Sequence, residues 1–257
     1  MEFASRQELL DALKGSDPAR REIAISEIGN QEDPTLLPHL LEILDDPSPR
    51  IRWRSLQSIG KLGASKAGDA VLGLLKDPSS QVRAEAARVL GLGGRKEHTP
   101  ALSTLLGDQD IQVRCRAIEA LGEIGELGEE FSEKIAALLQ DSDSRIRMNA
   151  AMALGKCRYL PALSPLTRSL RDPNHNVRGL SAWSLGNLGD EQAVDALIDA
   201  LGDDGESVRI YAYQALSAFG QKAIPALETA RIRKGESVRV LVERLLEDIS
   251  MEEGEVG

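Results

Sequence analysis

Asp77-Pro-Ser-Ser-Gln-Val-Arg-Ala-Glu-Ala-Ala-Arg-Val-Leu-Gly-Leu-Gly-Gly94 is the clearest copy of a stretch that recurs along the chain. Each copy contains an anchor arginine, in nearly every case directly after an aliphatic residue. Successive anchors are 30 to 33 residues apart, at Arg21, Arg52, Arg83, Arg114, Arg147, Arg178, Arg209 and Arg239. Self-similarity at such a period indicates a solenoid, in which each repeat contacts only its neighbours.

A column of helix-capping residues stands four positions before each anchor. Its members are Asp17, Ser48, Ser79, Asp110, Asp143, Asn174, Gly205 and Gly235. All belong to the residue types preferred at the N-cap, so a helix is predicted to begin there in every repeat. Eight positions after the anchor, six of the eight repeats have glycine, which suits either a helix end or a close contact between helices.

Two helices are predicted for each repeat. Positions −1, +3, +7 and +10 from the anchor fall within about 80° of one another on a helix and are mostly apolar, as in Val82, Ala86 and Leu90. A second apolar run with helical spacing precedes each anchor, for example residues 40–44. The pattern therefore predicts an all-α solenoid of about eight two-helix repeats.

The repeat pattern, D-x-x-x-x-[VI]-R-x-x-A-x-x-x-L-G-x-[LI]-G, resembles the short HEAT-like repeat named after the phycobilisome lyase subunits. The resemblance covers about residues 5–249. It implies a right-handed superhelix in which the second helices line a concave groove. It also implies a possible role for such a protein in attaching, detaching or chaperoning bilins on phycobiliproteins.

The period predicts one array over residues 1–257. Its units fall at about 1–32, 33–64, 65–95, 96–126, 127–159, 160–190, 191–221 and 222–250, followed by an acidic tail at 251–257. Two extra residues between the fourth and fifth units predict a bend or longer turn near residues 127–130.

Composition favours a soluble, cytoplasmic protein, with 42% hydrophobic and 28% charged residues. No apolar run is long enough to span a membrane, and the first residues do not resemble a signal peptide. The net charge of −10 disfavours nucleic-acid partners, and we expect a monomer that does not bind membranes. Two cysteines are too few for a disulfide framework; we expect Cys157 in the core and Cys115 exposed.

An aspartate column stands six residues before the anchors, at Asp46, Asp77, Asp108, Asp141, Asp172 and Asp203. Because both columns repeat together, we predict that these aspartates pair with anchor arginines, within or between repeats. The alternative is a set of solvated loop carboxylates.

No catalytic constellation, metal site or cofactor site is predicted. The three histidines do not stand at ligand spacing with one another or with cysteine. The Gly-rich stretches follow helices, whereas a phosphate-binding loop follows a strand.

Large side chains on the outer side of the second helices are the candidates for binding. Positions +1 and +5 face away from the core, yet both tryptophans and two methionines lie there. We predict that another protein or peptide binds along this groove, a scaffold function; the alternatives are a lyase-like or chaperone subunit for bilins, or simple packing between neighbouring helices. The candidate residues are Trp53, Arg88, Arg116, Glu119, Met148, Met152, Trp183, Ile210 and Tyr213.

Overall fold

The computed structural model describes residues 3–254, with side chains described for residues 3–251. Within this part of the chain the backbone forms helices and turns and no strand. The second helices of the repeats, called B helices below, are α2 (Pro18–Gln31), α4 (Pro49–Val71), α5 (Ser80–Gly93), α7 (Ile111–Ile124), α9 (Ser144–Lys156), α11 (His175–Leu188), α13 (Glu206–Phe219) and α15 (Glu236–Gly254). The all-α solenoid of HEAT-like repeats is confirmed.

The first helices, called A helices below, are shorter. They are α1 (Arg6–Lys14), α3 (Leu37–Leu41), α6 (Thr99–Ser103), α8 (Glu129–Ala137), α10 (Leu163–Ser169), α12 (Val194–Ala200) and α14 (Ile224–Arg233), with the A helix of the third repeat forming the second half of α4. Helix α4 combines two helices because only Gly63 departs from helical geometry between them. The remaining helical backbone is 3-10 helix at Pro34–Leu36, Leu72–Lys76, Lys96–His98, Thr104–Gly107, Leu138–Gln140, Leu160–Ala162, Glu191–Ala193 and Gly220–Ala223.

Every B helix begins one residue after its predicted N-cap. The side chains of Asp17, Asp110, Asp143 and Asn174 each accept a hydrogen bond from the backbone N–H two residues further on. These bonds satisfy donors that a helix leaves without an intrahelical partner. Pro18 and Pro49 occupy the first helical position, where a missing N–H costs nothing.

The chain divides into two compact units, Met1–Leu127 and Gly128–Gly257. The division falls where the repeat spacing lengthens, between α7 and α8. Gly125 and Gly128 both have φ of +78° there, a conformation that glycine adopts without steric cost. The prediction of one unbroken array with eight stated boundaries stays a prediction.

Each unit is built from two helical layers. In the first unit the B helices pack side by side, α2 on α4, α4 on α5 and α5 on α7; in the second, α9, α11, α13 and α15 do the same. The A helices cover one side of these layers. The core lies between them, where Val82, Ala86 and Leu90 are fully buried. Burying one leucine of this kind stabilises the fold by about 1.5–3 kcal/mol.

The glycine column marks close contacts between neighbouring B helices. A Cβ added to Gly91 would lie 2.6 Å from the Cα of Ala120, and one added to Gly186 would lie 2.7 Å from the Cβ of Ala215. The repeats with Gly29 and Gly155 show the same contact with a serine of the next helix. The structure thus favours close packing over helix termination as the reason for this column.

Three expectations need correction. Cys115 is buried rather than exposed, and Cys157 is only half-buried. Burial still raises the pKa of the Cys157 thiol to about 11. Helix α15 includes residues 251–254, which the sequence assigned to a tail, and residues 255–257 lie outside the described part of the chain.

Candidate binding face

The anchor arginines and loop aspartates form a ladder between repeats. The guanidinium of Arg52 donates two hydrogen bonds to Asp77 of the next repeat, from Nε at 2.7 Å and from Nη2 at 2.8 Å. Its Nη1 donates to the carbonyl of Asp46 in its own repeat at 2.7 Å. The carboxylate of Asp77 also accepts the backbone N–H of Ser79 at 2.8 Å.

Five such rungs lie within the two units: Arg21–Asp46, Arg52–Asp77, Arg83–Asp108, Arg147–Asp172 and Arg178–Asp203. The hydrogen bond from Arg83 holds the pKa of Asp108 below its ordinary value. Because the side chains of these aspartates are largely shielded from water, they are not solvated loop carboxylates. The anchor arginines of the ladder therefore stabilise the contacts between repeats. The outer side of the B helices remains available for other roles.

In the first unit, the candidate residues lie on α4, α5 and α7. Trp53 is half-buried, with the guanidinium carbon of Arg54 4.9 Å from its ring centroid. Arg88 is half-buried against Gly60 of the preceding B helix and pairs with Glu85 at 2.5 Å. Exposed Arg116 and half-buried Glu119 form an ion pair at 2.7 Å.

In the second unit, the candidates lie on α9, α11 and α13. Met148, Met152 and Trp183 are half-buried, whereas Ile210 is 46% exposed. The Tyr213 hydroxyl donates a hydrogen bond to the carboxylate of Asp248 on α15, with 2.5 Å between the two oxygens. Burial, together with that carboxylate, raises the pKa of Tyr213 to about 12, so the hydroxyl remains a donor at neutral pH.

Ile210 and Tyr213 line one groove between α13 and α15, with a volume of about 450 Å³. The other lining residues are Glu206, Arg209, Gln214, Leu241, Arg244 and Asp248. The structure thus brings two of the nine candidates to a common cavity. We call the outer side of the B helices that carries the nine candidate residues the B face.

The half-buried state of most candidates has a geometric cause. Position +1 of one B helix points toward the next B helix: a Cβ on Gly179 would lie 3.3 Å from the ring of Tyr211. The neighbouring helix therefore covers part of the B face, and Gly179 is buried there. Val240, in the last repeat, is 56% exposed.

Sequence reasoning missed two apolar side chains on the B face. Leu92, one helical turn beyond Arg88, is 52% exposed, and Val240 occupies the same column as Ile210. The helical spacing could have found both. Sequence reasoning also did not predict the burial of His98. Its side chain lies against Gly68, and its ring nitrogens have no hydrogen-bond partner among the described residues.

Two searches of the described residues bear on other kinds of site. No group of three or more His, Cys, Asp or Glu side chains could hold a metal ion within that part of the chain. None of the helices described there is long and apolar enough to cross a bilayer.

The sequence model of the HEAT repeats matches residues 6–80, 68–132 and 163–247. This chain belongs to the HEAT-repeat family. No curated protein matches the HEAT-repeat chain by sequence. Solved structures with a similar fold exist, and all of the likeness described here is at the level of the fold.

One similar structure is the complex of CpcE and CpcF of phycocyanin lyase from Nostoc sp. PCC7120. Its identity is 22%, over 96% of this HEAT-repeat chain and 95% of that chain, with a TM-score of 0.57. Another is an engineered protein, 20% identical over 95% of this chain and 78% of that chain, with a TM-score of 0.58. The resemblance to the lyase type of HEAT-like repeat is thus supported in fold.

Proposed function

We propose that this HEAT-repeat protein is a non-catalytic scaffold that binds another protein on its B face. The observation that carries the proposal is the placement of both tryptophans there, half-buried, on a face that also has the exposed apolar side chains of Leu92, Ile210 and Val240. Large aromatic side chains supply binding energy out of proportion to their number, because they bury much area with few rotatable bonds.

The state of these side chains supports binding more than packing alone. Trp53 and Trp183 lie outside the fully buried core, and both keep surface that water reaches. A partner that covers the remaining apolar surface gains about 25 cal/mol for each Å² removed from water. The pairs Arg88–Glu85 and Arg116–Glu119 suit a polar rim around such contacts.

Site-specific photo-crosslinking in the native host tests this proposal. A photoreactive phenylalanine analogue replaces Trp53 or Trp183 on the B face. In matched controls it replaces one of two exposed residues outside the B helices, Leu160 in the 3-10 helix before α10 or Ile232 of α14. We expect one protein to be captured from both B-face positions and from neither control. Equal capture from all four positions would show that the B face has no preference for a partner.

A second candidate function is a lyase-like subunit that handles a bilin on a phycobiliprotein. It is favoured by the fold likeness to a chain of the phycocyanin lyase complex over nearly the full length of both chains. The test is to mix the purified protein with free bilin and an apo-phycobiliprotein subunit and to follow pigment absorbance. A bound-bilin spectrum that depends on the protein supports this candidate; an unchanged spectrum contradicts it.

A further inference from the structure

The anchor arginine of the seventh repeat is not paired as its equivalents are. In four rungs the arginine Nε and Nη2 both bind an aspartate of the next repeat at 2.7–2.9 Å. The position 25 residues after Arg209, where the other rungs have their aspartate, is occupied by Lys234, which is exposed and follows α14 in an extended conformation. Among the described residues, Arg209 donates to the carbonyls of Asp203 and Asp204 through Nη1 and forms no ion pair.

Arg209 lines the groove between α13 and α15. Ile210 and Leu241 give this groove an apolar surface, and the exposed side chain of Arg244 lies at its side. Arg244 stands one helical turn before Asp248 on α15, and its positive charge opposes the rise in the pKa of Tyr213. The groove thus combines two cations with an apolar surface.

Two carboxylates also line this groove, and one of them is already engaged. The carboxylate of Asp248 accepts a hydrogen bond from the Tyr213 hydroxyl, with 2.5 Å between the two oxygens. This bond holds the carboxylate on the aromatic side of the groove. Glu206 is exposed at the first turn of α13. An incoming carboxylate would therefore meet the guanidinium groups of Arg209 and Arg244 as its complementary charges.

We propose that the groove binds an acidic, apolar segment of a partner protein, whose carboxylate binds the Nε and Nη2 of Arg209. An adjacent apolar side chain of the partner packs on Ile210 and Leu241. The ladder supports this chemistry directly, because the same arginine position binds a carboxylate through two parallel bonds in four other repeats. Two-point contacts of this kind are both strong and specific in geometry. The inference rests on the proposed function and names the chemistry of its partner.

The probe for a test is a phage-displayed library of random dodecapeptides, selected on the intact chain. We expect the enriched peptides to contain Asp or Glu beside Leu, Ile, Val or Phe. Fluorescence polarisation of synthetic peptides then gives affinities. Arg209→Gln should weaken binding about tenfold, because one member of a paired charge is lost. Changing the peptide carboxylate to its amide should have the same effect, and the two losses should not add.

Arg239→Gln is the matched control, since Arg239 is also an anchor arginine but lies outside the groove. It should leave peptide affinity unchanged. Ile210→Asp keeps the test decisive if Arg209→Gln unfolds, because Ile210 is partly exposed and its replacement repels an acidic peptide without removing core volume. Thermal midpoints of all variants separate lost binding from lost fold.

Several results would overturn the proposal: enriched peptides without carboxylates, equal binding to Arg209→Gln, or no enrichment over the bare support. A chain that dimerises through this groove and becomes monomeric with Ile210→Asp would identify a second copy as the occupant, and this too would refute an acidic partner. If the affinity for the selected peptides falls with Trp183→Ala but not with Arg209→Gln, the scaffold function stands and the groove assignment is wrong. If no B-face variant changes affinity, both are wrong.

Discussion

Arg52 and Asp77 belong to different repeats, yet they form the most shielded ion pair of the ladder. The exposed fractions of their side chains are 13% and 4%. The same guanidinium donates a hydrogen bond to the carbonyl of Asp46 in its own repeat. One side chain therefore links a B helix to the loop of its own repeat and to the next repeat. In a solenoid, stability is roughly a sum of repeat terms and interface terms between neighbours, and each rung contributes to an interface.

Removing one rung should destabilise the fold without touching the B face. Arg147→Ala leaves Asp172 largely shielded from water without its partner, and breaking a buried pair in this way costs about 3 kcal/mol. Chemical denaturation measures the loss. Arg116→Ala is the control, because Arg116 is exposed and pairs only with Glu119 on its own helix; it should cost less than about 1 kcal/mol. Equal midpoints for Arg147→Ala and the parent would refute the structural role of the ladder.

The ladder also predicts a direction of pH dependence. The hydrogen bond from Arg83 lowers the pKa of Asp108 in the folded chain from its ordinary value of 3.8. A carboxyl group whose folded pKa is lowered contributes stability above its unfolded pKa, and this contribution is lost as pH falls from about 3.8 toward the folded pKa. Carboxyl NMR titration should give a pKa below 3.8 for Asp108 in the parent and a higher one in Arg83→Gln. An identical titration in both proteins contradicts the pairing.

Close contact between B helices makes one glycine column intolerant of a methyl group. Gly91→Ala should destabilise by about 2–3 kcal/mol, since the new Cβ meets the backbone of Ala120 and the helices must move apart. Gly73→Ala is the matched control, because nothing lies within 4 Å of its added Cβ. We expect the control to be neutral or slightly stabilising. Similar denaturation midpoints for both variants would show that the helices are less tightly packed than described.

The end of the ladder allows a rung to be added. Lys234→Asp places an aspartate 25 residues after Arg209, the spacing of the other rungs, in the extended position that follows α14. It should pair with Arg209 and stabilise the chain by about 1 kcal/mol, and the exposed pair of Lys234 with Asp199 that is lost contributes little. A double-mutant cycle with Arg209→Gln isolates the pair: the gain should vanish when Arg209 is absent. A gain of the same size in both backgrounds would mean that the aspartate acts through some other contact.

The sequence predicts those parts of the fold that depend on local chemistry. All eight B helices begin where expected, and four of them have a side-chain cap, which involves only residues close in sequence. The sequence could not show whether each anchor arginine pairs with an aspartate of its own repeat or of the next repeat, since that depends on how the helices stack. The burial of Cys115 could not be predicted from its place on its own helix, because burial also depends on what packs around that helix.

The candidate residues were found because they exceed what the scaffold needs. Trp53 and Trp183 are the largest side chains in their columns, in which several other repeats have small or polar residues such as Ala84, Gly179 and Ser26. Periodicity alone could not show the groove between α13 and α15, because its lining depends on how those two helices pack against each other.

The affinity and stability of Trp53→Ala and Trp183→Ala test the central claim most directly. We predict that each variant binds the crosslinked partner more weakly by about 2 kcal/mol, as for an interface hot spot, while its unfolding free energy stays within about 1 kcal/mol of the parent. Leu160→Ala and Ile232→Ala should change neither quantity. A fall of about 3–5 kcal/mol in stability, as for a tryptophan removed from a core, or partner binding as tight as that of the parent, would contradict the claim that the B face is the binding surface.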